Sequence, residues 1–190
     1  IVHPNTVSAF FNMNPSSGCA PLEVMFTNFS TGGSGLMASW DFGDGNISNS
    51  LSTTHTFLIG GTYNVVLVSN NGCSFDTISQ TVTVYPQPQL SISINNDSIC
   101  TGQTILITNT SQGLSGVFWN FGDGTTSTVN NPSHLYSQPG SYLLSLIGTS
   151  SNHGCDDTLY QTVAVLPIPD ASVNISAADG CIPLDVNFTS

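Results

Sequence analysis

The sequence predicts an all-β protein made of tandem sandwich domains, and three observations lead to that prediction. Short runs of alternating apolar and polar residues, separated by Gly, Asn, Ser and Pro, occur throughout the 190 residues. No segment has the 3.6-residue hydrophobic period of an amphipathic helix. The sequence SWDFGDG at 39–45 returns as FWNFGDG at 118–124, and a fixed internal repeat of this kind indicates one small domain copied along the chain.

The strand predictions come from runs rich in Val, Ile, Thr, Phe and Tyr. In the first copy these runs are 22–26, 62–68 and 81–84, and in the second copy they are 104–107, 142–147 and 162–165. Short strands at this spacing, in a unit of about 80 residues, are typical of an antiparallel β-sandwich.

The cysteines set the period of the repeat. Cys19, Cys100 and Cys181 are evenly spaced (100 − 19 = 181 − 100 = 81), and proline pairs close the two copies at 86–88 and 167–169. We therefore expect both ends to be cuts through a longer chain. Short proline-bearing joints favour extended conformations, so we expect the domains to form an elongated rod. The predicted division is 1–4, the tail of a preceding repeat; 5–86, domain 1; 87–168, domain 2; and 169–190, the start of a third domain.

The charge of the chain argues against two classes of partner. There is no Lys or Arg, and eleven acidic residues give a formal net charge of −11. Phosphate backbones and anionic lipid surfaces are bound mainly through basic side chains. We therefore expect neither nucleic acid nor the membrane surface as a partner, and we interpret the acidic surplus as a solubilising surface.

Each complete copy contains two cysteines at nearly the same spacing. Cys19 is followed by Cys73 (73 − 19 = 54), and Cys100 is followed by Cys155 (155 − 100 = 55). We predict disulfides within the domains, Cys19–Cys73 and Cys100–Cys155, with Cys181 bonded to a residue beyond position 190. Zinc is the alternative, but two cysteines per domain make a poor structural zinc site. Disulfides would place the protein in an oxidising compartment outside the cytoplasm.

The repeated motif combines core residues with a tight turn. Trp40 and Phe42 are separated by one residue, so on a strand both rings face the core, and Trp119 and Phe121 repeat this arrangement. The Gly-Asp-Gly that follows predicts a turn in which glycines take positive φ and the aspartate bonds nearby backbone N–H groups.

The turn aspartates are also the candidate metal ligands. Asp44, together with Asp41, and Asp123 in the second copy could ligate calcium, although no Asp-x-Asp-x-Asp-Gly loop is present. Capping of the turn is the simpler interpretation. No other cofactor is expected.

Two further motifs follow the turn in both copies. In each copy a histidine, His55 or His134, stands two residues before an aromatic residue, in the pattern His-x-aromatic. We expect both histidines to be packed, hydrogen-bonded strand residues. Tyr63 and Tyr142 each open a long apolar strand. A tyrosine in that position resembles the tyrosine corner of immunoglobulin-like sandwiches.

Taken together, Trp-x-Phe-Gly-Asp-Gly, His-x-aromatic and Gly-[Thr/Ser]-Tyr resemble the PKD (polycystic kidney disease) domain. This resemblance implies an immunoglobulin-like β-sandwich used in extracellular proteins for spacing, adhesion and sometimes contact with glycans. Tandem arrays rich in Ser, Thr and Asn are also similar to giant surface proteins of Bacteroidota, including gliding-motility adhesins exported by the type IX system. Archaeal surface layers and the stalks of secreted hydrolases use the same module.

The sequence contains neither of two common catalytic motifs. Neither Gly-x-Ser-x-Gly nor His-Glu-x-x-His occurs, and a nucleophile–base–acid set needs several positioned residues. We expect no enzyme activity from these repeats. A modification is suggested instead, since Thr77, Ser98 and Thr158 each lie between an Asp and an aliphatic residue, which resembles the O-glycosylation signal of Bacteroidota.

Three functional hypotheses follow. The first is a structural segment of an extracellular filament or adhesin stalk at the cell surface. The second is recognition of polysaccharide by exposed aromatic residues, with Phe10, Phe11 and Phe29 as candidates. The third is a spacer in a secreted hydrolase. The expected partners are neighbouring repeats of the same chain, further copies of it in a fibre, and glycans or host and substratum surfaces.

Overall fold

A computed structural model describes residues 6–175 and 188–189, and every regular element in these residues is a β-strand. The all-β prediction is confirmed. The strands of the first repeat are β1 (Phe11–Asn14), β2 (Ser17–Cys19), β3 (Leu22–Asn28), β4 (Met37–Asp41), β5 (Ile47–Ser48), β6 (Thr53–Phe57), β7 (Gly61–Asn70) and β8 (Phe75–Tyr85). Those of the second repeat are β9 (Ile92–Ile94), β10 (Ser98–Cys100), β11 (Thr104–Asn109), β12 (Leu114–Asn120), β13 (Thr126–Ser127), β14 (Ser133–Leu135), β15 (Gly140–Ser150) and β16 (Asp156–Leu166). A short pair follows, β17 (Asn174–Ile175) and β18 (Phe188–Thr189).

The first repeat is a sandwich of two sheets. One sheet has the order β1-β3-β6 and the other has the order β2-β8-β7-β4-β5. The long hairpin β7–β8 pairs residue by residue from Gly61 opposite Val84 to Asn70 opposite Phe75. Strand β2 joins the outer side of β8 and runs parallel to it.

The alternation of side chains along these strands builds the core of the first repeat. Val65 and Leu67 on β7 are fully buried, and so are Trp40, Phe11 and Phe26. The Trp40 ring meets Phe11 edge-on with 5.0 Å between centroids and lies 5.6 Å from Phe26. Large aromatic surfaces buried in this way are the main source of stability in so small a domain.

The second repeat has the same strand order. Its sheets are β14-β11-β9 and β10-β16-β15-β12-β13, which match the first repeat strand for strand. Its buried residues include Ile105, Trp119, Leu144 and Leu146. The two sandwiches are therefore built from equivalent positions of the repeat.

The chain divides into two compact units that do not coincide with the repeats. Of the described residues, one unit contains those up to Ser91 together with the segments 110–117 and 147–159 of the second repeat, and the other contains 92–109, 118–146 and the described residues from Tyr160 onward. No described residue belongs to a helix that is long and apolar enough to cross a membrane.

Candidate functional site: the cysteine bridge and the Gly-Asp-Gly turn

A disulfide joins Cys19 of the first repeat to Cys155 of the second, with 5.6 Å between the Cα atoms and a sequence separation of 136 residues. The predicted pairs Cys19–Cys73 and Cys100–Cys155 are therefore wrong, since Cys73 and Cys100 are free thiols in this chain. Cys181 lies outside the described residues, and the bond expected for it stays a prediction.

The strands of the first repeat explain why its own two cysteines do not pair. Cys19 ends β2 and lies opposite Tyr85, the last residue of β8. Cys73 lies in the turn before Phe75, the first residue of that strand. At about 3.4 Å per residue the two ends of β8 are about 34 Å apart. Because a disulfide needs Cα atoms within about 7 Å, the folded sandwich cannot close this bond.

The second repeat separates its cysteines in the same way. Cys100 lies opposite Leu166, the last residue of β16, and Cys155 comes directly before Asp156, the first residue of that strand. Each copy does contribute two cysteines, as the sequence shows, but the long strand keeps the two members of each copy at opposite ends of the sandwich.

The surroundings of the bridge lie within the first compact unit. Cys155 is buried. The ring of Tyr85 stacks on His153 with 3.7 Å between centroids and 12° between planes, and the Gln87 side-chain amide donates to the Asp156 carbonyl oxygen at 3.4 Å. Residues at the end of the first repeat therefore pack beside the turn that carries Cys155. No sequence signal points to His153, because Asn71 occupies the equivalent position in the first repeat.

The Gly-Asp-Gly turn of the first repeat depends on its glycines. Gly43 has φ of 78°, a region that suits glycine, and a Cβ added there would lie 2.8 Å from the Asn64 carbonyl oxygen. The Asp44 carboxylate accepts the backbone N–H of Asn46 at 3.0 Å. The second repeat does the same with Gly122, whose added Cβ would lie 2.8 Å from the Leu143 carbonyl oxygen.

The turn aspartate of each repeat also holds the recurrent histidine. Nε2 of His55 lies 2.7 Å from Oδ2 of Asp44, and the side chains are only 14% and 16% exposed. The imidazole stacks flat on Phe42, with 4.1 Å between centroids and 5° between planes, and meets Phe57 edge-on. The histidine thus ties the turn to the aromatic core.

His134 makes the equivalent contacts in the second repeat. Its Nε2 lies 2.7 Å from Oδ2 of Asp123, and its ring stacks on Phe121 at 4.0 Å and 6°. The reproduction of the whole arrangement, including the tilt of the rings, indicates a structural element of the fold.

Hydrogen bonding lowers the pKa of both turn aspartates. Burial, the largest influence, raises the pKa of Asp44, but the hydrogen bonds from His55 and Asn46 together outweigh it and leave the pKa below 3.8. The same balance lowers the pKa of Asp123, where Thr125 and His134 supply the opposing hydrogen bonds. Both turns therefore favour the ionised carboxylate.

The recurrent tyrosines anchor the loops that precede their strands. The Tyr63 hydroxyl donates to the Ile59 carbonyl oxygen at 2.7 Å, and the Tyr142 hydroxyl donates to that of Gln138 at 2.9 Å. In both copies the acceptor lies at the same short distance upstream in the chain. This is the geometry of a tyrosine corner.

Comparison with known families agrees with this geometry. The sequence profile of the PKD domain matches residues 4–86 and 85–165. The chain belongs to the PKD domain family. PKD domains are non-catalytic modules, and the family accounts for both sandwiches described above.

The chain is similar to two PKD domains of known structure and to a short part of a bacterial collagenase. It is 31% identical to the PKD1 domain of the Vibrio cholerae metalloprotease PrtV, covering 42% of this chain and 98% of that one, with a TM-score of 0.37. It is 24% identical to the PKD1 domain of Vibrio anguillarum Epp, covering 44% of this chain and 99% of that one, with a TM-score of 0.38. It is also 61% identical over 28 residues to the collagenase ColA of Bacillus cereus, which is 15% of this chain and 3% of the collagenase.

In the described part of the chain, the turn aspartates do not belong to a metal-binding cluster of acidic, histidine or cysteine side chains. No group of three or more His, Cys, Asp or Glu side chains there could hold a metal ion. The Asp41 carboxylate accepts the backbone N–H of Gly43 at 2.9 Å, and Asp44 is engaged by His55 and Asn46. The calcium interpretation gains no support, whereas the capping interpretation describes both turns.

The candidate glycosylation residues lie on strands of the two PKD domains. Thr77 on β8 and Ser98 on β10 are exposed, whereas Thr158 on β16 is half-buried. The N–H of Thr77 is bonded to the Asp76 carboxylate at 2.9 Å, so the aspartate of the motif fixes the backbone beside the hydroxyl.

The aromatic candidates for sugar binding fall into two groups. Phe10 and Phe29 are 49% and 52% exposed, but Phe11 is fully buried in the core of the first PKD domain. The Phe29 N–H donates to the Phe10 carbonyl oxygen at 2.8 Å, so the two exposed residues are neighbours across adjacent chain segments. Phe11 is removed from the set of candidates.

Proposed function

We propose that this chain is a structural segment of a long extracellular surface filament or adhesin stalk, in which tandem PKD domains hold an adhesive region away from the cell. The observation that carries the proposal is the Cys19–Cys155 bond. A bond within one domain would stabilise that domain alone. A bond from one repeat to the next fixes a joint, which is useful where domains must transmit force to each other.

The position of the bridge supports a mechanical role. If the domains were pulled apart, the chain between the two cysteines could not extend, because the sulfur bond provides a shorter covalent route. A sequence separation of 136 residues corresponds to about 450–490 Å of extended chain that is removed from the path of the load.

The chemistry of the chain is compatible with a place outside the cell. A disulfide forms and persists in oxidising compartments. The absence of Lys and Arg from the sequence leaves trypsin-like proteases no site to cut. The acidic residues supply a solvated surface without ion pairs to Lys or Arg.

The finer assignment rests on the resemblance to giant Bacteroidota surface proteins. On that interpretation the segment belongs to an adhesin exported by the type IX system, used for surface attachment and for gliding, and glycosylated at Thr77, Ser98 and Thr158. Its partners are neighbouring repeats, other copies of the chain in a fibre, and glycans or substratum surfaces.

The full-length gene and the native particle test the proposal together. We expect further PKD repeats on either side of these residues, and negative-stain electron microscopy of the native assembly should show an elongated array. A compact globule with no array of domains would reject the structural role.

The exposed pair Phe10 and Phe29 supports a second candidate, the recognition of polysaccharide, since sugar rings stack on aromatic faces. A glycan array probed with this two-domain chain would show binding that is lost in the double variant Phe10→Ser, Phe29→Ser. A core substitution such as Phe11→Ser cannot serve as the control because it would unfold the domain, so Phe75→Ser, at another exposed aromatic residue, takes that place. Absence of binding by the parent chain rejects this candidate.

The collagenase and metalloprotease relatives support a third candidate, a spacer in a secreted hydrolase. The sequence on either side of these repeats decides it, because that role requires a catalytic domain in the same polypeptide.

A further inference from the structure

We propose that Cys73 and Cys100 form disulfides of the same kind with repeats that adjoin this chain: Cys73 with the first cysteine of the preceding repeat, and Cys100 with the second cysteine of the following repeat. Each junction of the array is then closed by one sulfur bridge. The inference rests on the proposed function, because it requires the chain to be part of a longer array.

The first cysteine of each repeat occupies the same place in the fold. Cys19 lies opposite Tyr85 and Cys100 lies opposite Leu166, in each case at the last residue of the strand that leads out of the repeat. The residue after each cysteine donates its N–H to that same opposing carbonyl oxygen, at 2.9 Å in both repeats. Since Cys19 is bonded to the repeat that follows it, Cys100 is placed to do the same.

The second cysteine of each repeat lies in the turn of the long hairpin. Cys73 lies between β7 and β8 and follows Gly72, with φ of 85°; Cys155 lies between β15 and β16 and follows Gly154, with φ of 69°. The start of the first domain passes beside this turn, because the Val7 N–H donates to the Ser74 hydroxyl at 3.1 Å. The second cysteine is thus near the point where the chain enters its repeat.

Burial differs between the two second-position cysteines, whereas the first-position cysteines Cys19 and Cys100 are both half-buried. Cys155 is 1% exposed, whereas Cys73, its equivalent, is exposed and has a free thiol. No bond within the first domain can cover Cys73, because Cys19 lies at the far end of β8. An adjoining repeat would supply Cys73 with both a bonding partner and a covering surface, which Cys155 already has.

Forming each bridge removes two electrons and two protons from a pair of thiols. A protein or small-molecule disulfide is the oxidant: one cysteine thiolate attacks it to give a mixed disulfide, and the partner thiolate then displaces the second thiol. The oxidant leaves as two thiols. This step belongs to the oxidising compartment in which the array is assembled.

If every first-position cysteine is bonded to the second-position cysteine of the next repeat, two covalent routes run along the array, each using every second bridge. From Cys19 the shortest route crosses the bridge to Cys155, follows the chain as far as Cys181 (181 − 155 = 26) and crosses the next bridge. Two repeats then contribute about 86–94 Å of extensible chain, against about 530–580 Å for the whole of two periods (2 × 81 = 162) without bridges. The bridged array can lengthen about six-fold less than an unbridged one.

Peptide mapping of the native, full-length protein tests the pairing. Thiols are blocked at lysis and the protein is cut on the N-terminal side of aspartate, which places each cysteine of this chain on a separate peptide. The peptides are the one that ends at Trp40, with Cys19; 44–75, with Cys73; 97–122, with Cys100; 123–155, with Cys155; and 179–184, with Cys181. We expect 44–75 to be linked to a first-position cysteine of the preceding repeat and 97–122 to a second-position cysteine of the following repeat.

Three results would overturn the inference: blocked thiols at Cys73 and Cys100, a link between 44–75 and the Cys19 peptide, or a link between 44–75 and 97–122. The proposed function fails on a different observation: a full-length sequence that contains no PKD repeats adjoining this chain. An array with links inside its domains would reject the inference and leave the structural role intact.

Force extension provides a second readout. The native array, held at its ends, should reach a maximum extension about six-fold greater after reduction than before. In the full-length protein, Cys155→Ser alone should leave the maximum extension before reduction unchanged, because the route through the bridges of Cys73 and Cys100 stays closed. The triple variant Cys73→Ser, Cys100→Ser, Cys155→Ser should lengthen by the chain between Cys19 and Cys155. An oxidised array that extends as far as a reduced one contradicts the proposal.

Discussion

The stacked rings around each recurrent histidine, which we call the aromatic column, are completed within one repeat, whereas the disulfide is made between two repeats. The column from Phe42 through His55 to Phe57 is completed inside one repeat, and the second repeat completes its own copy. The bridge takes one member from each repeat. Equal spacing of residues therefore identifies equivalent positions, but it does not tell whether an interaction is made within a copy or between copies.

Loss of the bridge should have the largest effect. In the chain-entropy model, closing a loop of this length stabilises the protein by about 5 kcal/mol when the whole loop unfolds. We expect Cys155→Ser to lower the free energy of unfolding in urea by a loss approaching that value, and Cys73→Ser to leave it unchanged in this chain because that thiol has no partner here. Equal destabilisation by both variants would show that Cys73 takes part in the bonding.

Truncation of a core tryptophan should affect one repeat only. Trp40 and Trp119 are fully buried, and loss of such a side chain costs about 3–5 kcal/mol. They are also the two tryptophans of the chain, so in Trp40→Ala the remaining fluorescence reports the second repeat. With Cys155→Ser as the background, we expect that transition to stay within about 0.5 kcal/mol of the parent.

The reciprocal variant Trp119→Ala is the matched control. It should leave the Trp40 transition in place while the second repeat unfolds early. If either substitution shifts both transitions equally, the cores are not independent and the contrast with the bridge is lost.

Neutralising the turn aspartates should have a moderate, pH-dependent effect. Asp44 and Asp123 have lowered pKa values, so the stability they add is present above about pH 4 and is lost as the pH falls through their folded-state pKa values. Asp44→Asn with Asp123→Asn should cost about 1–3 kcal/mol per site at neutral pH, because each partly buried histidine loses a charged acceptor. The acid limb of a plot of stability against pH should flatten in the double variant.

The exposed Asp97 supplies the control for that experiment, since Asp97→Asn should leave the acid limb as steep as in the parent. An acid limb unchanged by the double substitution would mean that other carboxylates govern acid unfolding.

The smallest expected change in stability comes from the one hydroxyl group by which the aromatic columns of the two repeats differ. Tyr136 in the second repeat donates its buried hydroxyl to the Phe121 carbonyl oxygen at 2.9 Å, whereas Phe57 fills the equivalent place in the first repeat. Burial raises the pKa of Tyr136 to about 12. Tyr136→Phe should cost about 1 kcal/mol, seen as a shift of the Trp119 transition alone. An unchanged transition would show that this hydrogen bond adds nothing to stability.

The fold could be predicted from the sequence because its signals are local. The spacing of Trp40 and Phe42 places both rings on one face of a strand, and the glycines around Asp44 specify a turn. The partner of His55 could not be predicted in the same way. Asp44 lies in a turn and His55 lies on a strand, and no local signal joins them. The joint recurrence of Asp123 and His134 is the signal that could have identified the contact.

The prediction of the disulfide pairs was wrong because it did not place the two cysteines of a repeat at opposite ends of the sandwich. The sequence indicates the position of one of them. Gly72-Cys73 is a turn sequence that lies between the predicted strands 62–68 and 81–84, so Cys73 was expected near one end of a hairpin. The position of Cys19 at the other end depends on the parallel pairing of β2 with β8, and a strand as short as β2 carries no signal for that pairing. Counting cysteines per copy could not distinguish a bond within a repeat from one between repeats.

We expect the bridge to join one repeat to the next, and a peptide map of this chain under non-reducing conditions shows which cysteines are bonded. After thiol blocking and cleavage before aspartate, we expect peptide 1–40 to be linked to 123–155, with blocked thiols on 44–75 and 97–122. A link between 1–40 and 44–75 would contradict this pairing.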